Sequence, residues 1–405
     1  MDVGDRGCRF PRRVLFTTLC ILAVVRPSPR SQIWPLPSAL VDASPELIDR
    51  LRADPFTYFR FVNRSWAARV CEIFADVTDM PVVRLHGDAH VEQYAFTNHA
   101  WGLVDYDDSA RGPESIDVVR FLGSIDLAAR QRGWSRDRDA LWDRFFAGYR
   151  VGLSDPIHQS REPEIVHRLR AQKQLTRAGF LAVAESQMQA MDNDTLKLVD
   201  GAMEALETIV RRDRRDLSAG YFSVKRAGWL RVGVGSGVTR KVLIRVEGAT
   251  RDDGDDVILE AKEVTNLDGV GCVEAGTTPP ALRVVDGTRQ LGRLKHDILA
   301  VGPTLLIPGV AGRAERWLDW WVASWEPSYR EVRITDLRSV NDLADIVYDS
   351  GVQLGSKEPI DDASRKLALS SVIRLEGRFR KETSGIVDEL LAGWRELASP
   401  RTLRD

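Results

Sequence analysis

His86-Gly87-Asp88-Ala89-His90-Val91-Glu92-Gln93 follows one short apolar run, Val82 to Leu85, and Asp105-Tyr106-Asp107-Asp108 follows another, Gly102 to Val104. Each run is long enough for a strand and too short for a helix, so both acidic clusters fall where a strand gives way to a loop. Strand ends hold a side chain rigidly, and loops give it reach. A single loop of this kind is ordinarily a turn, because aspartate favours turns. Two of them, with Asp105 seventeen positions after Asp88, point to a site.

Outward from these loops the chain sorts into blocks. Ser44-Pro45-Glu46 reads as a helix start, with proline at the first turn. Phe56, Phe59, Val62, Trp66, Val70 and Ile73 then recur at helical spacing. After Gly112-Pro113, helical patterns carrying Ile116, Val119, Leu122 and Ile125 begin, and helices continue to about residue 215. From Tyr221 to Val264 the pattern is that of strands: Val242, Ile244 and Val246 share a face, as do Val257, Leu259 and Ala261. Asp252-Asp253-Gly254 is the turn between them. Beyond about residue 280 helical periodicity is expected again, with one β-like stretch at Val332 to Ile334. Trp317, Trp320, Trp321 and Trp325 are expected on one helical face, as packing rather than base stacking, since no basic stripe accompanies them. The pattern predicts an α+β chain: a leader and linker over 1–41, a helical block with the acidic loops over 42–215, a β-rich block over 216–310, and C-terminal helices over 311–405.

Phosphoryl transfer needs a carboxylate to orient the attacking hydroxyl and hard oxygen ligands to hold magnesium against the phosphates. Asp88 suits the first role; Asp105, with Asp107 beside it, suits the second. Gly233-Val234-Gly235-Ser236-Gly237 lies between two strand patterns. Gly233, Gly235, Ser236 and Gly237 either let backbone N–H groups reach phosphate oxygens or form a plain hairpin tip. Lys262, on the next strand, stands where kinases place the lysine that grips the α- and β-phosphates, though it also fits a solvent-facing position. His90 reads as a proton relay or metal-side residue next to Asp88, or as a ring that holds the loop's shape. Asp117 reads as a partner for loop backbone or for Arg120.

Composition narrows the classes. The chain has 405 residues, 43% hydrophobic and 29% charged, enough for two or three structural units. Its 57 basic and 59 acidic residues nearly cancel, so nothing calls for nucleic acid or an anionic membrane as partner. Cys8, Cys20, Cys71 and Cys272 form no CxxC pair, and buried free thiols are expected. Arg9, Arg12 and Arg13 precede an apolar run, Val14 to Val25, and then Arg26-Pro27-Ser28-Pro29. That is the form of a secretory signal or anchor, although no A-x-A site follows it. Use of ATP argues instead for the cytoplasm, and a start codon placed too far upstream would reconcile the two.

The motifs resemble those of aminoglycoside phosphotransferases and, more closely, a bacterial family known as domain of unknown function 2252. The matching residues are Pro55-Phe56…Phe59-Arg60, Gly87-Asp88-Ala89-His90, Asp105-Tyr106-Asp107, and Gly112-Pro113…Asp117…Arg120, followed by Gly233 to Gly237 and Lys262-Glu263. The resemblance implies a two-lobed, protein-kinase-like fold with its lobes in permuted order, using ATP and Mg2+. It implies Asp88 as catalytic base, Asp105 as principal metal ligand and Lys262 as phosphate anchor. The acceptor is an unidentified small molecule or protein hydroxyl. Gln93 departs from the pattern's metal-binding asparagine, which displaces the amide oxygen by about 1.5 Å. Phe61 replaces a glycine, and no glutamate partner for Lys262 stands out beyond Glu274. Those departures leave a nucleotide-holding pseudokinase as one alternative. A metal-dependent phosphoesterase is another, since Gly-Asp-x-His also opens such sites, with Asn98-His99 as its only further ligands.

Overall fold

The structure is a computed structural model and describes residues 45–172, 175–230, 240–264, 267, 270–274, 279–307 and 316–399. The leader and the stretch Gly233, Gly235, Ser236 and Gly237 lie outside the described residues. Three helices come first: α1 (Pro45–Ala53), α2 (Pro55–Phe61) and α3 (Asn63–Ile73). The single helix expected from Phe56 to Ile73 is broken at Val62, and Asp54 caps α2 by accepting from the N–H groups of Phe56 and Thr57.

Four short strands frame the acidic loops: β1 (Val82–Leu85), β2 (Tyr94–Phe96), β3 (Trp101–Leu103) and β4 (Ala110–Pro113). β1 pairs with β4 and β2 with β3, both antiparallel, so the two loops emerge side by side. Helix α4 (Ser115–Arg132) runs beneath them, buried at every residue from Ser115 to Ala129. Then come α5 (Arg138–Ser154), α6 (Glu164–Arg170), α7 (Arg177–Ser186), the short β5 (Met188–Gln189) and α8 (Asn193–Val210).

The β-rich block supplies β6 (Val224–Leu230), β7 (Lys241–Val246) and β8 (Val257–Glu263), followed by α9 (Pro280–Leu291) and β9 (Leu299–Val301). Beyond it, β10 (Leu305–Ile307) pairs with β11 (Arg316–Leu318), and β12 (Trp320–Ser324) enters the main sheet. The expected helical face of tryptophans is therefore wrong. Trp317 lies on β11, Trp320 and Trp321 on β12, and Trp325 just beyond it. Every residue of β12 is buried, so the run lacks the alternation that marks a strand. The main sheet has six strands in the order β5-β6-β7-β8-β12-β9 and reaches past residue 310. The chain then returns through β13 (Arg330–Glu331), which pairs with β2, to α10 (Val340–Lys357) and α11 (Asp362–Ala398).

The register gives the sheet two distinct faces. One carries Val242, Ile244, Val246, Leu259, Ala261 and Trp320, and packs on α8 through Val199, Ala202, Met203 and Leu206. On the other, α7 covers Leu230, Leu243 and Ile258, while α9 covers Trp321 and Ala323. Between α7 and α9 that face presents Lys241, Glu260 and Lys262. Helices α1 to α6, α10 and α11 share a separate core with the strands around the loops.

Helices α5 and α10 touch backbone to backbone. A Cβ on Gly148, Gly152, Gly351 or Gly355 would sit 2.1–2.4 Å from a carbonyl oxygen of the facing helix. Cys71 and Cys272 also correct the expectation of free thiols: they form a disulfide between α3 and the segment that follows β8. Among the described residues no helix is long and apolar enough to cross a membrane. The architecture is α+β.

Candidate functional site

Helix α4 builds the first loop from below. Asp117, Arg120 and Ser124 recur at three- and four-residue spacing, on one face of the helix. Asp117 accepts the N–H groups of His86 at 2.6 Å and Gly87 at 2.9 Å, and Ser124 Oγ accepts that of Val91 at 3.2 Å. From α3, Asn63 donates to the carbonyl of Gly87 and to the Asp108 carboxylate, both at 2.9 Å. Gly87 has φ +87°, and a Cβ there would lie 2.1 Å from the Asp108 carbonyl oxygen, so only glycine fits where the loops meet. His86 locks the loops together from inside. Its Nε2 bonds the Val104 carbonyl at 3.0 Å, its ring packs on Tyr106, and burial keeps it neutral by lowering its pKa.

Asp88 is held by Arg120. The guanidinium is fully buried, and Nε and Nη2 donate to Oδ1 at 2.9 and 2.7 Å. Arg120 also donates to the Phe59 carbonyl and lies 3.5 Å from that ring's centroid. Burial pushes the Asp88 carboxyl up to about 7, outweighing the opposing pull of Arg120. Both Arg120 hydrogen bonds go to Oδ1, and Oδ2 lies 3.7 Å from His90 Nε2. His90 is fully buried against Phe56 and Phe59, and among the described residues neither ring nitrogen has a hydrogen-bond partner. Burial, with Arg60 and Arg120 nearby, lowers its pKa well below the usual imidazole range, so it is a neutral ring.

The second loop meets the sheet. Lys262 Nζ lies 3.2 Å from Asp105 Oδ1, 3.5 Å from Asp107 Oδ2 and 3.9 Å from Glu260 Oε1. It also stands over the Trp321 ring. Asp105 takes φ +65°, the sole non-glycine residue with positive φ among the described residues, a conformation aspartate tolerates and sites often use. Burial would raise the Asp105 carboxyl, but Lys262 and Lys241 together hold it far below the usual range. Burial and the neighbouring Asp105 push Asp107 up to about 7. Gln93 Nε2 donates to Asp105 Oδ2 at 3.3 Å, which puts its amide beside the same carboxylate. Glu274 is in a backbone bridge with Arg111, and the acids around Lys262 are Asp105, Asp107 and Glu260 instead.

Two helices pin this loop from outside. Arg283 on α9 donates to the carbonyls of Asp107 and Ser109. Gln353 on α10 accepts from Leu103 N–H at 2.8 Å and donates to Tyr106 Oη and the Leu291 carbonyl, each at 3.0 Å. Sequence reasoning missed Arg283, Gln353, Glu260 and Lys241. It had named Arg120, but not as the residue that holds Asp88.

The donor set consists of hard oxygens, the carboxylates of Asp105 and Asp107, with Asp107 Oδ1 buried and without a hydrogen bond among the described residues; Gln93 turns its amide nitrogen, not its oxygen, to Asp105. That suits a magnesium ion bound by one or two carboxylates plus phosphate oxygens. Among the described residues no group of three or more His, Cys, Asp or Glu forms a metal cage made wholly of protein.

Residues 42–191 match the model of a family described as an uncharacterized protein conserved in bacteria, domain of unknown function 2252. That span covers both acidic loops and ends before Lys262. Over 79 residues the chain is 29% identical to a glucosamine kinase of Streptacidiphilus jiangxiensis. The match takes in 16% of this chain and 18% of that protein's length. No solved structure matches.

Proposed function

We propose that the chain is an ATP-dependent phosphotransferase of the kinase type, with the sheet following the catalytic loops in sequence instead of preceding them. The observation that carries this is the approach of Lys262 to Asp105, across 157 residues of chain, to 3.2 Å. A strand-borne amine facing a pair of loop-borne acids is what a metal–triphosphate needs. The similarity to a glucosamine kinase supports the same class over a short span.

In this reading Lys262 holds the α- and β-phosphates, and Asp105 and Asp107 would hold magnesium, which supplies charge neutralisation on the phosphates. Asp88 accepts the proton of the acceptor hydroxyl through its Oδ2. The acceptor oxygen forms its bond to the γ-phosphorus as the bond to the β-phosphate oxygen breaks, and ADP leaves with that electron pair. A carboxyl near neutrality suits such a base. Arg120 and the Asp117-anchored backbone fix its position, and His90, buried and neutral, closes the wall behind it.

The test is transfer of labelled phosphate from ATP to a panel of sugars, amino sugars and protein hydroxyls, by wild type and by Asp105→Asn. Transfer by wild type that falls at least a hundredfold in the variant supports the reading. Equal transfer by both proteins sinks it. A nucleotide-holding regulatory role is the second reading, favoured by the partners of Lys262, which come from its own strand and the second loop and not from α9. Tight magnesium-dependent ATP binding without transfer would select it.

A further inference from the structure

Strands β7 and β8 run antiparallel, and their register puts Lys241 directly across from Lys262. Residues so placed share one face, with Cβ atoms about 4.5–5.5 Å apart, and like charges there repel. Lys241 makes no side-chain hydrogen bond or ion pair among the described residues, and it is half-buried on the strip of the sheet between α7 and α9. The two amines face the same two acids: Lys241 acts on both Asp105 and Asp107, second only to Lys262 among the cations. It also begins the strand that follows the stretch Gly233 to Gly237.

A repelling pair at the centre of a site is explained by a ligand of high negative charge. When a metal engages Asp105 and Asp107, both lysines lose the two acids they share, and Lys262 keeps only Glu260, at 3.9 Å. The charge remaining on a metal-bound triphosphate then answers a pair of amines better than a single one. We propose that Lys241 is a second phosphate-binding amine, forming with Lys262 a two-point clamp on the phosphate chain of a nucleoside triphosphate. This rests on the phosphotransfer reading above and adds a binding residue to it.

The test is calorimetric titration of Mg·ATP, and of inorganic triphosphate with Mg2+, into wild type, Lys241→Met, Lys241→Arg and Lys262→Met. Lys197→Met, on an exposed residue of α8, controls for net charge. A charge-assisted contact of this kind predicts a loss of roughly tenfold or more for both probes in Lys241→Met, with a shallower salt dependence. Lys241→Arg should retain most of the affinity, and Lys197→Met should match wild type. The melting temperature of ligand-free Lys241→Met should not fall, whereas loss of a structural counter-ion would lower it. If wild type binds and Lys241→Met stays within twofold of it, the clamp is refuted and the phosphotransfer reading survives. If wild type binds neither triphosphate, both fall together.

Discussion

Replacing Asp88 by asparagine should damage the fold as well as any chemistry. Arg120 is fully buried, and two of its nitrogens bond the same Asp88 oxygen at 2.9 and 2.7 Å. The asparagine leaves that guanidinium charged, without its anion and out of reach of water. Breaking a buried pair in this way costs about 3–5 kcal/mol, a large part of the roughly 5–15 kcal/mol that holds a typical domain together. Arg120→Met should behave differently, because a buried carboxyl can escape its penalty by taking up a proton. That variant should be little affected at pH 6 and progressively worse toward pH 8. The double variant Asp88→Asn/Arg120→Met leaves no orphaned charge, so its loss should fall short of the sum of the single losses by about 2–3 kcal/mol. Urea unfolding of the four proteins at pH 7 measures this. Losses that add within about 0.5 kcal/mol would refute the view that Arg120 is neutralised by Asp88.

Two further outcomes follow. Activity and stability should respond to pH in opposite directions. Transfer needs Asp88 ionised and should rise as pH passes through about 7. Burial has raised Asp88 and Asp107 to about 7 and Glu114 to about 8, and above about pH 6.5 the buried neutral histidines His86 and His90 no longer oppose them, so between about pH 6.5 and 8 the folded state holds more protons than the unfolded one. Raising pH through that window therefore lowers stability, and rate and urea-midpoint profiles that climb together would contradict it. The Cys71–Cys272 bridge closes a loop across 201 residues, and Cys71→Ser with Cys272→Ser should lower stability by about 2–4 kcal/mol. Unfolding curves unchanged by reductant would show that the bridge does not form.

The acidic loops were legible because their signals are local: an apolar run followed by Gly-Asp or Asp-x-Asp. Strands β7 and β8 were legible because each sets charged residues, Lys241 and Arg245 on one and Glu260 and Lys262 on the other, between residues of an apolar face, which leaves alternation in the sequence. Strand β12 is buried throughout and shows no alternation, while Trp317, Trp320, Trp321 and Trp325 fall at helical spacing by coincidence. The partnership of Cys71 with Cys272 joins distant segments, and no local pattern encodes it. The Lys241–Lys262 confrontation is likewise a property of register, invisible until the strands are aligned. One signal was read only for Asp117, and a second was not used. Asp117, Arg120 and Ser124 interrupt an apolar helix at helical spacing, and such buried polar groups must serve a partner. Gly148 with Gly152, and Gly351 with Gly355, mark faces where two helices can approach closely.

Titration of ATP into the wild-type protein, with magnesium and again with EDTA, tests the triphosphate site most directly. Saturable binding that requires the metal, and that disappears in both Lys262→Met and Asp105→Asn, is the expected result. No binding under either condition, or affinity that is indifferent to magnesium and to both substitutions, would mean that this amine and these acids meet only to neutralise one another.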